Sequence, residues 1–505
     1  MRKRTVLLVG VAGFSVVAVA VAASLVFSTP VTVQPGGSPF GATASGAACQ
    51  NAAGQTGTNY PGTQVEPWLA VDPSNNARMI AVWQQDCWSN GGANALLDAY
   101  SSDGGTTWTT PAISSQAKFS NCTGGSGASG AYTRVSDPWV TIAPNGDAYF
   151  FALQADIGTA LPDNAMSVAK STDHGASWGT PTVLRRDTSP NVLNDKNSIT
   201  ADRFDSHYVY AVWDRLEFPN EKAAAQAGEN AIGYRGPTWF SRTTDTGASW
   251  ETAHIIYDPG EVNQTIGNQI VVTGDGTLVD GFALIFNFKN TGKARGVNAA
   301  VLRSNDHGAS WSGATIVSHF TPGTVSDPTT GAAVRTGNII PEIAADPRAG
   351  SSTVYMVWQG RTASSASSVF FATSTDDGAS WSTPRVINTQ ANVEAFTPSI
   401  RVASDGTLSV TYYDFRNDTN SAPLNTDVWA IHSHDGGTTW SEDHVSGPFD
   451  MATAAIARGY FVGDYEGLDT GIDPTDSKPF FAVGFGQADG TTTTRSSHIE
   501  ASIGK

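Results

Sequence analysis

The residues best suited to chemistry lie in the segment 463–467, which reads Gly-Asp-Tyr-Glu-Gly. Side chains alternate along a strand, so Asp464 and Glu466 are predicted to share one face while Tyr465 points to the other. Two carboxylates on one face can act as general acid and general base, or bind a polar ligand. We expect no cofactor. Calcium binding by such carboxylates stays open, although no loop has a recognised calcium spacing.

Further polar and aromatic side chains stand where apolar runs that read as strands begin or end. Carboxylates can hold and transfer a proton, and arginines can bind a ligand carboxylate through two parallel hydrogen bonds. Aromatic rings beside them could stack on the faces of sugars. These candidates are Asp137, Glu342 and Asp414, the arginines Arg215, Arg361 and Arg416, and the tryptophans Trp83, Trp213 and Trp358.

Six near-copies of one octet separate the strands that must position these side chains. Each has a Ser or Thr, an Asp two residues later, a Gly two residues after that, and a final Trp. In such a turn the carboxylate accepts hydrogen bonds from nearby N–H groups, the hydroxyl supports it, and the Gly is free to take a positive φ. The Trp is predicted to be a buried apolar wedge. The copies are 101–108, 171–178, 243–250, 304–311, 374–381 and 433–440.

The octets resemble the Asp boxes, Ser/Thr-x-Asp-x-Gly-x-x-Trp, of the sialidase (neuraminidase, BNR-repeat) superfamily. Six full copies make the resemblance specific, and it covers nearly the whole chain after the N-terminal segment. It implies an all-β fold, a sialidase-like β-propeller of four-stranded antiparallel blades. The boxes would lie on the turns between third and fourth strands, away from the catalytic face. The fold alone does not define the chemistry, because propellers carry many unrelated sites.

A pair of apolar strands precedes each octet, and a seventh pair without an octet begins at Tyr460. Seven pairs predict seven blades, the last completed by a strand from near the N-terminus. The sialidases that the chain resembles have six blades, so six is the alternative.

The resemblance also implies roles at the opening where inner strands begin and second strands return. A sialidase needs an arginine cluster for the substrate carboxylate, a Tyr nucleophile activated by a Glu, and an Asp acid/base. From their placement at this opening, the three arginines above are assigned to such a cluster. Tyr413 near Glu342 is assigned to the nucleophile and its base.

The superfamily's Arg-Ile-Pro segment is missing, and the comparable place, 65–68, reads Val-Glu-Pro-Trp. Three functions therefore stay open. The favoured one is an exported exo-glycosidase that releases a terminal acidic sugar, as an exo-α-sialidase does. The others are a non-catalytic extracellular propeller that binds a glycan or a protein, and a propeller lyase that acts on uronic-acid polymers with a Tyr or His base beside an arginine.

The chain of 505 residues carries a net charge of −17, which argues against binding to nucleic acid or to anionic membrane surfaces. The expected partner is a glycan or glycoconjugate, and nothing in the sequence indicates an oligomeric state.

The N-terminus combines three basic residues, Arg2 to Arg4, with an uncharged run rich in Val and Ala. This pattern is typical of a signal peptide, and the run is also long enough for an uncleaved membrane anchor. We expect residues 1–27 to be that segment, 28–62 a tether rich in Pro, Gly, Ser and Thr, and 63–505 one propeller domain. The protein is therefore expected outside the cytosol, secreted or anchored at the outer face of the membrane, with this segment as its only contact with the bilayer.

The chain has three cysteines, Cys49, Cys87 and Cys122. In an oxidising compartment two of them are expected to pair, and the spacing leaves open which two.

Overall fold

The computed structural model describes residues 25–34, 37–40, 56–127, 132–156, 163–220, 234–286, 295–362, 366–471, 477–484, 487–488 and 493–504. Besides strands, these ranges hold only the short 3-10 helices Ile113–Ser115, Asn121–Thr123 and Met451–Thr453. The all-β prediction is therefore confirmed. In the same ranges no helix is long and apolar enough to span a membrane. Most of the predicted export segment, and Cys49, lie outside the described residues.

The first part of the chain forms β1 and two consecutive sheets. A single residue pair, Ala93 with Val135, joins the two sheets into one of seven strands. The strands are β1 (Val31–Thr32), β2 (Gln64–Asp72), β3 (Asn75–Cys87), β4 (Ala93–Ser101), β5 (Arg134–Ile142), β6 (Ala148–Ala155), β7 (Asn164–Ser171) and β8 (Thr182–Asp187).

The middle of the chain forms four antiparallel sheets of four strands each. The first two contain β9 (Val192–Ala201), β10 (Val209–Glu217), β11 (Thr238–Thr243), β12 (His254–Tyr257), β13 (Asn263–Val272), β14 (Leu278–Phe286), β15 (Gly296–Ser304) and β16 (Thr315–Phe320). After the short strands β17 (Val325–Ser326) and β18 (Ala333–Arg335), the next two contain β19 (Glu342–Ala345), β20 (Val354–Gly360), β21 (Ser368–Ser374), β22 (Arg385–Val386), β23 (Ala395–Val402), β24 (Leu408–Asp414), β25 (Asn425–Ser433) and β26 (Ser441–Asp450).

The last part of the chain supplies a sheet that also contains the first strand. Its order is β1, β33, β30, β29, and Val31 pairs with Ala501. The remaining strands are β27 (Ala455–Ile456), β28 (Tyr460–Phe461), β29 (Gly467–Asp469), β30 (Lys478–Gly484), β31 (Gln487–Ala488), β32 (Thr493–Thr494) and β33 (Ser497–Ala501).

The inner strands of successive sheets contact one another in a closed order: β2, β5, β9, β13, β19, β23, β29 and again β2. This is the arrangement of a propeller around a central channel. The count of seven blades stays a prediction, because the first two units share one continuous sheet and residues 472–476 of the last unit lie outside the description.

A small additional sheet lies beside the ring and combines two distant loops. Its order is β17, β18, β28, β27, and β18 runs parallel to β28, with Arg335 opposite Phe461. The guanidinium carbon of Arg335 lies 4.1 Å from the centre of the Phe461 ring. This pairing fixes Arg335 next to the segment that leads into β29.

The six octets form the predicted turns. In the fourth copy Ser304 donates to the Asp306 carboxylate at 2.8 Å, and the Ser310 N–H donates to it at 2.9 Å. The glycines at the fifth position of all six have φ between 80° and 90°. Trp178 is buried, with 8% exposed, and the other five tryptophans are partly buried and pack against core residues. The tryptophans therefore pack on the core as predicted, but only one of them is buried.

Candidate functional site

Irregularities at matching places of the inner strands aim side chains into one end of the channel. Pairing shifts between Val65 and Trp68 in β2 and between Ser136 and Trp139 in β5. Glu66 and Asp137, inside these shifts, have φ of 53° and 55°, and Lys196 in β9 has φ of 42°. Bulges redirect side chains, and a positive φ in such residues is strain that surrounding contacts must maintain.

These irregularities produce a cluster of charged groups from five parts of the chain, which we name the mouth cluster. Arg335 donates from Nε to Asp464 at 3.0 Å and from Nη2 to the other carboxylate oxygen. Gln84 donates to the Glu66 carboxylate, and Ser136 donates to Asp137 at 2.6 Å. The cluster consists of Glu66, Asp137, Lys196, Arg335, Asp464 and Tyr465.

Lys196 is the central cation of the cluster. Its ammonium lies 3.6 Å from the centre of the Tyr465 ring and 4.6 Å from that of Trp139. The residue is only 6% exposed. The attraction between an ammonium and aromatic ring faces replaces part of the stabilisation that the ammonium loses when it is removed from water. Lys196 therefore supplies a fixed positive charge to the carboxylates around it.

The cluster raises the pKa of some of its carboxyl groups and lowers the pKa of another. Burial, reinforced by the negative charges of Asp137 and Asp464, raises the pKa of Glu66 to about 8. Burial also raises the pKa of Asp137, against the opposing effect of Lys196. Burial works in the same direction on Asp464, but the bound Arg335 outweighs it and lowers the pKa of Asp464. At neutral pH the cluster thus contains a protonated Glu66 and an ionised Asp464.

Two buried acceptors at the cluster lack a hydrogen-bond donor among the described residues. They are Oε1 of Gln84 and Oε2 of Glu342, in side chains that are 2% exposed. The nearest cation to this Glu342 oxygen is Nη1 of Arg401 at 3.9 Å, beyond hydrogen-bonding distance. Burial raises the pKa of Glu342 to about 7, with Arg401 opposing. Buried acceptors left open in this way are free to accept from a ligand hydroxyl.

The channel is filled next to the cluster and opens again at its other end. Trp68 and Trp139 stack at 3.4 Å between ring centres, and the Tyr465 ring lies across their edges. Beyond them is a cavity of about 240 Å³, lined mainly by apolar residues at the ends of the inner strands. Its wall includes Asp469 but no second carboxylate, so it offers no acid and base pair.

The structure brings some of the predicted site residues together. Asp137 and Asp464 belong to the mouth cluster, and Glu342 lies at its margin. Tyr465 also faces it, contrary to the prediction that it points away from Asp464. The reason is that 462–466 is not a strand, since β29 begins only at Gly467, so alternation does not apply.

Tyr413 and Glu466 lie elsewhere than predicted. Burial raises the pKa of Glu466, whose carboxyl lies beside Tyr413. Both residues are 1% exposed, and Tyr413 packs between Phe396 and Phe449. The carboxyl group that bonds to Tyr413 is thus that of Glu466, and both side chains are packed in the core.

The three predicted arginines do not form one cluster, because each is held by different carboxylates. Arg215 bonds to Asp187 and Glu217, and Arg361 to Glu394. Arg416 bonds to Glu442 and to Asp414, which is 1% exposed. Asp414 is therefore the partner of an arginine, outside the mouth cluster.

The three predicted tryptophans are packing residues. Trp83 and Trp213 are completely buried, and Trp358 is 1% exposed. Trp83 donates to Gln85, Trp213 donates to Asn194, and Trp358 stacks on Phe370. None of them presents a ring face to a sugar, because neighbouring side chains cover both faces.

From sequence, Glu66 is predicted to lie at a strand entry beside the channel but is given no catalytic role, and Lys196 and Arg335 are not predicted at all. A repeated string was the available signal for the first, since Glu66 and Asp137 each precede Pro-Trp. No local signal distinguishes Lys196 or Arg335, whose positions depend on a distorted strand and a parallel pairing. Within the described ranges, no group of three or more His, Cys, Asp and Glu side chains is placed to hold a metal ion.

The state of two cysteines is defined. Cys122 is in a disulfide, whereas Cys87 is a free, buried thiol. Any pairing that involves Cys87 is thereby excluded. Burial raises the pKa of the Cys87 thiol to about 12.

No curated protein sequence matches the chain. Among solved structures, the chain is similar to a Hadza microbial sialidase, with 16% sequence identity and a TM-score of 0.46. The match covers 74% of this chain and 66%, just under two thirds, of the sialidase chain. The chain is also similar to an α-L-arabinanase of Penicillium chrysogenum complexed with arabinobiose (12%, 77% and 94%, TM-score 0.44) and to an ulvan lyase described as a new polysaccharide lyase family (12%, 76% and 79%, TM-score 0.42).

A family model, the BNR repeat-like domain, matches residues 237–456. This range contains four of the six octets, those at 243–250, 304–311, 374–381 and 433–440. The resemblance drawn from the octets is thus confirmed, and residues 237–456 match the BNR repeat-like domain.

Proposed function

We propose that the protein is a glycan-active enzyme, a glycoside hydrolase whose acid is Glu66 and whose ionised carboxylate is Asp464. One observation carries the proposal: a single cluster holds one carboxyl group protonated and another ionised at neutral pH. Two carboxyl groups with divided proton affinities are what glycoside hydrolysis requires.

The contacts of the cluster fit these roles. Glu66, held by Gln84, can donate its proton to the oxygen of the leaving sugar. Asp464, oriented by two hydrogen bonds from Arg335, can stabilise the developing positive charge, attack the sugar, or activate water. The open acceptors on Gln84 and Glu342 can bind sugar hydroxyls. Asp137 is a third carboxyl group that affects the proton affinity of Glu66.

We further propose that the protein works outside the cytosol, with residues 1–27 as a signal or anchor. The disulfide of Cys122 supports this proposal, because disulfides persist in oxidising compartments. Extracellular glycans are accessible to a protein at that location.

The test is hydrolysis by the purified protein of a panel of chromogenic glycosides and polysaccharides. We expect product from the wild type and a loss of about 10²- to 10⁴-fold in kcat/KM for Glu66→Gln and for Asp464→Asn. Asp163→Asn is the matched control: Asp163 also bonds to an arginine, Arg186, and has the same 18% side-chain exposure as Asp464.

Two other outcomes would replace the proposal. Binding on a glycan array without product from any glycan would indicate a non-catalytic binding propeller. An unsaturated uronate chromophore released from uronic-acid polymers would indicate a lyase.

A further inference from the structure

We infer that the mouth cluster accepts neutral glycosyl units and excludes those that carry a carboxylate. The reason is that the guanidinium of Arg335, which could bind such a carboxylate, is already bound to Asp464 of the same chain. This inference rests on the proposed function, since it names the substrate class of the same site. It differs from the acidic sugar that the sequence alone indicated.

The first step is that Arg335 already makes the two parallel hydrogen bonds with which an arginine binds a ligand carboxylate. Two of its nitrogens donate to the two oxygens of Asp464, and its flat face lies on Phe461. A paired fork of this kind is the usual mode of carboxylate recognition. An acidic sugar could take this place only by displacing Asp464.

The second step is that two further cations of this end of the channel, Lys196 and Arg401, are also engaged. The ammonium of Lys196 lies against two aromatic rings, and Arg401 donates to the backbone carbonyl of Ile400 at 2.7 Å and lies over Trp68. The three arginines expected to bind a carboxylate are each held by a carboxylate of the chain.

The third step is the balance of charge around the cluster. Five carboxyl groups, Glu66, Asp137, Asp195, Glu342 and Asp464, share this region with four cations, Lys196, Arg335, Arg401 and Arg458. Burial, reinforced by the negative charges of Asp137 and Asp464, disfavours ionisation of Glu66, so Asp464 is the carboxyl group that is ionised beside Arg335 at neutral pH. An incoming carboxylate would meet this ionised Asp464 at short range and low dielectric.

The open buried acceptors complete the argument. Oε2 of Glu342 and Oε1 of Gln84 accept from no described group. They suit a group that donates hydrogen bonds, as a sugar hydroxyl does, and repel a carboxylate at the same place, because a carboxylate offers only acceptors.

The experiment compares matched pairs of methyl glycosides that differ only at C6: galactoside with galacturonoside, and glucoside with glucuronoside. N-acetylneuraminic acid is added as a further acidic probe. Binding is measured by saturation-transfer NMR and by calorimetry on the full chain, so that the readout does not depend on turnover. We expect the wild type to bind the neutral member of at least one pair and to bind its acidic partner at least about tenfold more weakly.

Asp464→Asn releases the guanidinium and removes one negative charge. We expect it to shift the acidic-to-neutral ratio of affinities by about tenfold or more toward the acidic member. Asp464→Asn combined with Arg335→Met should lose that gain, and Asp163→Asn should leave the ratio at its wild-type value. Far-UV circular dichroism and urea unfolding establish that each variant is folded.

The inference is overturned if the wild type prefers the acidic member, if it binds neither member of any pair, or if Asp464→Asn leaves the ratio unchanged. These results are separate from failure of the proposed hydrolysis. Selective binding of a neutral sugar without turnover of any glycan would refute the enzyme and leave the selectivity intact.

Discussion

Replacement of Glu66 by Gln should make the protein more stable at alkaline pH while it abolishes hydrolysis. The pKa of Glu66 rises from 4.5 to about 8 in the folded protein because the residue is buried beside Asp137 and Asp464. Between these two values the unfolded chain has released the proton and the folded chain has kept it. The unfolding free energy therefore falls as pH rises through this window.

The size of the effect follows from the pKa difference. From 4.5 to about 8, at about 1.4 kcal/mol for each pH unit, the cost is on the order of 5 kcal/mol. Glutamine keeps the shape of the protonated side chain and cannot ionise. Near pH 4.5 the variant should thus match the wild type, and its advantage should grow steadily up to pH 8.

The assay is urea unfolding of both proteins at half-unit steps from pH 4.5 to 8.5, followed by intrinsic fluorescence. Glu442→Gln is a control without a pH-dependent difference in this range. Burial opposes ionisation of Glu442, but hydrogen bonds from Arg416, Thr389 and Tyr412 lower its pKa, so the stability that its ionised form adds changes with pH only below about 4.5. From about pH 5.5 upward this variant should therefore be less stable than the wild type by a constant amount. A constant stability difference between Glu66→Gln and wild type across the whole range would refute the reasoning.

Three further outcomes are expected. Asp306→Ala removes three hydrogen bonds of one exposed turn and should lower the unfolding free energy by about 2 kcal/mol in urea unfolding, whereas an unchanged midpoint would contradict the turn chemistry. Asp280→Asn should raise the unfolding free energy by about 1–3 kcal/mol at pH 8 and less at pH 5. The reason is that both oxygens of this buried carboxyl group lack a donor among the described residues, and burial raises its pKa. Equal effects at the two pH values would contradict this prediction. Cys87 should resist Ellman's reagent at pH 8 in the folded protein and react after unfolding, as peptide mass spectrometry can verify, because burial raises its pKa to about 12.

Local chemistry made the octets predictable from sequence. The Ser304 hydroxyl, the Asp306 carboxylate and the positive φ of Gly308 all lie within one turn of a few residues. Such contacts need no information from distant parts of the chain. The resemblance to sialidases could likewise be seen in the sequence, because the octets that carry it are local motifs.

The site could be predicted only in part, because it is assembled from distant segments. Asp137 and Asp464 were found as polar residues at the ends of apolar runs. Lys196 reaches the cluster through an irregular inner strand, and Arg335 through the parallel pairing of β18 with β28. The arginines chosen from sequence failed as a cluster since each found a carboxylate closer to its own sheet, as Arg215 did with Asp187.

The pairing of β1 with β33 gives the toroid a seam made of its first and last strands. The final sheet lacks its outer strand until both segments are present, so the ring can close only after nearly the whole polypeptide has been synthesised. Before that moment β33 is missing, so β30 has an exposed edge that can recruit a strand from another molecule. A tag or truncation that strains the seam is therefore expected to yield open, self-associating rings, even though no residue of the mouth cluster has been altered.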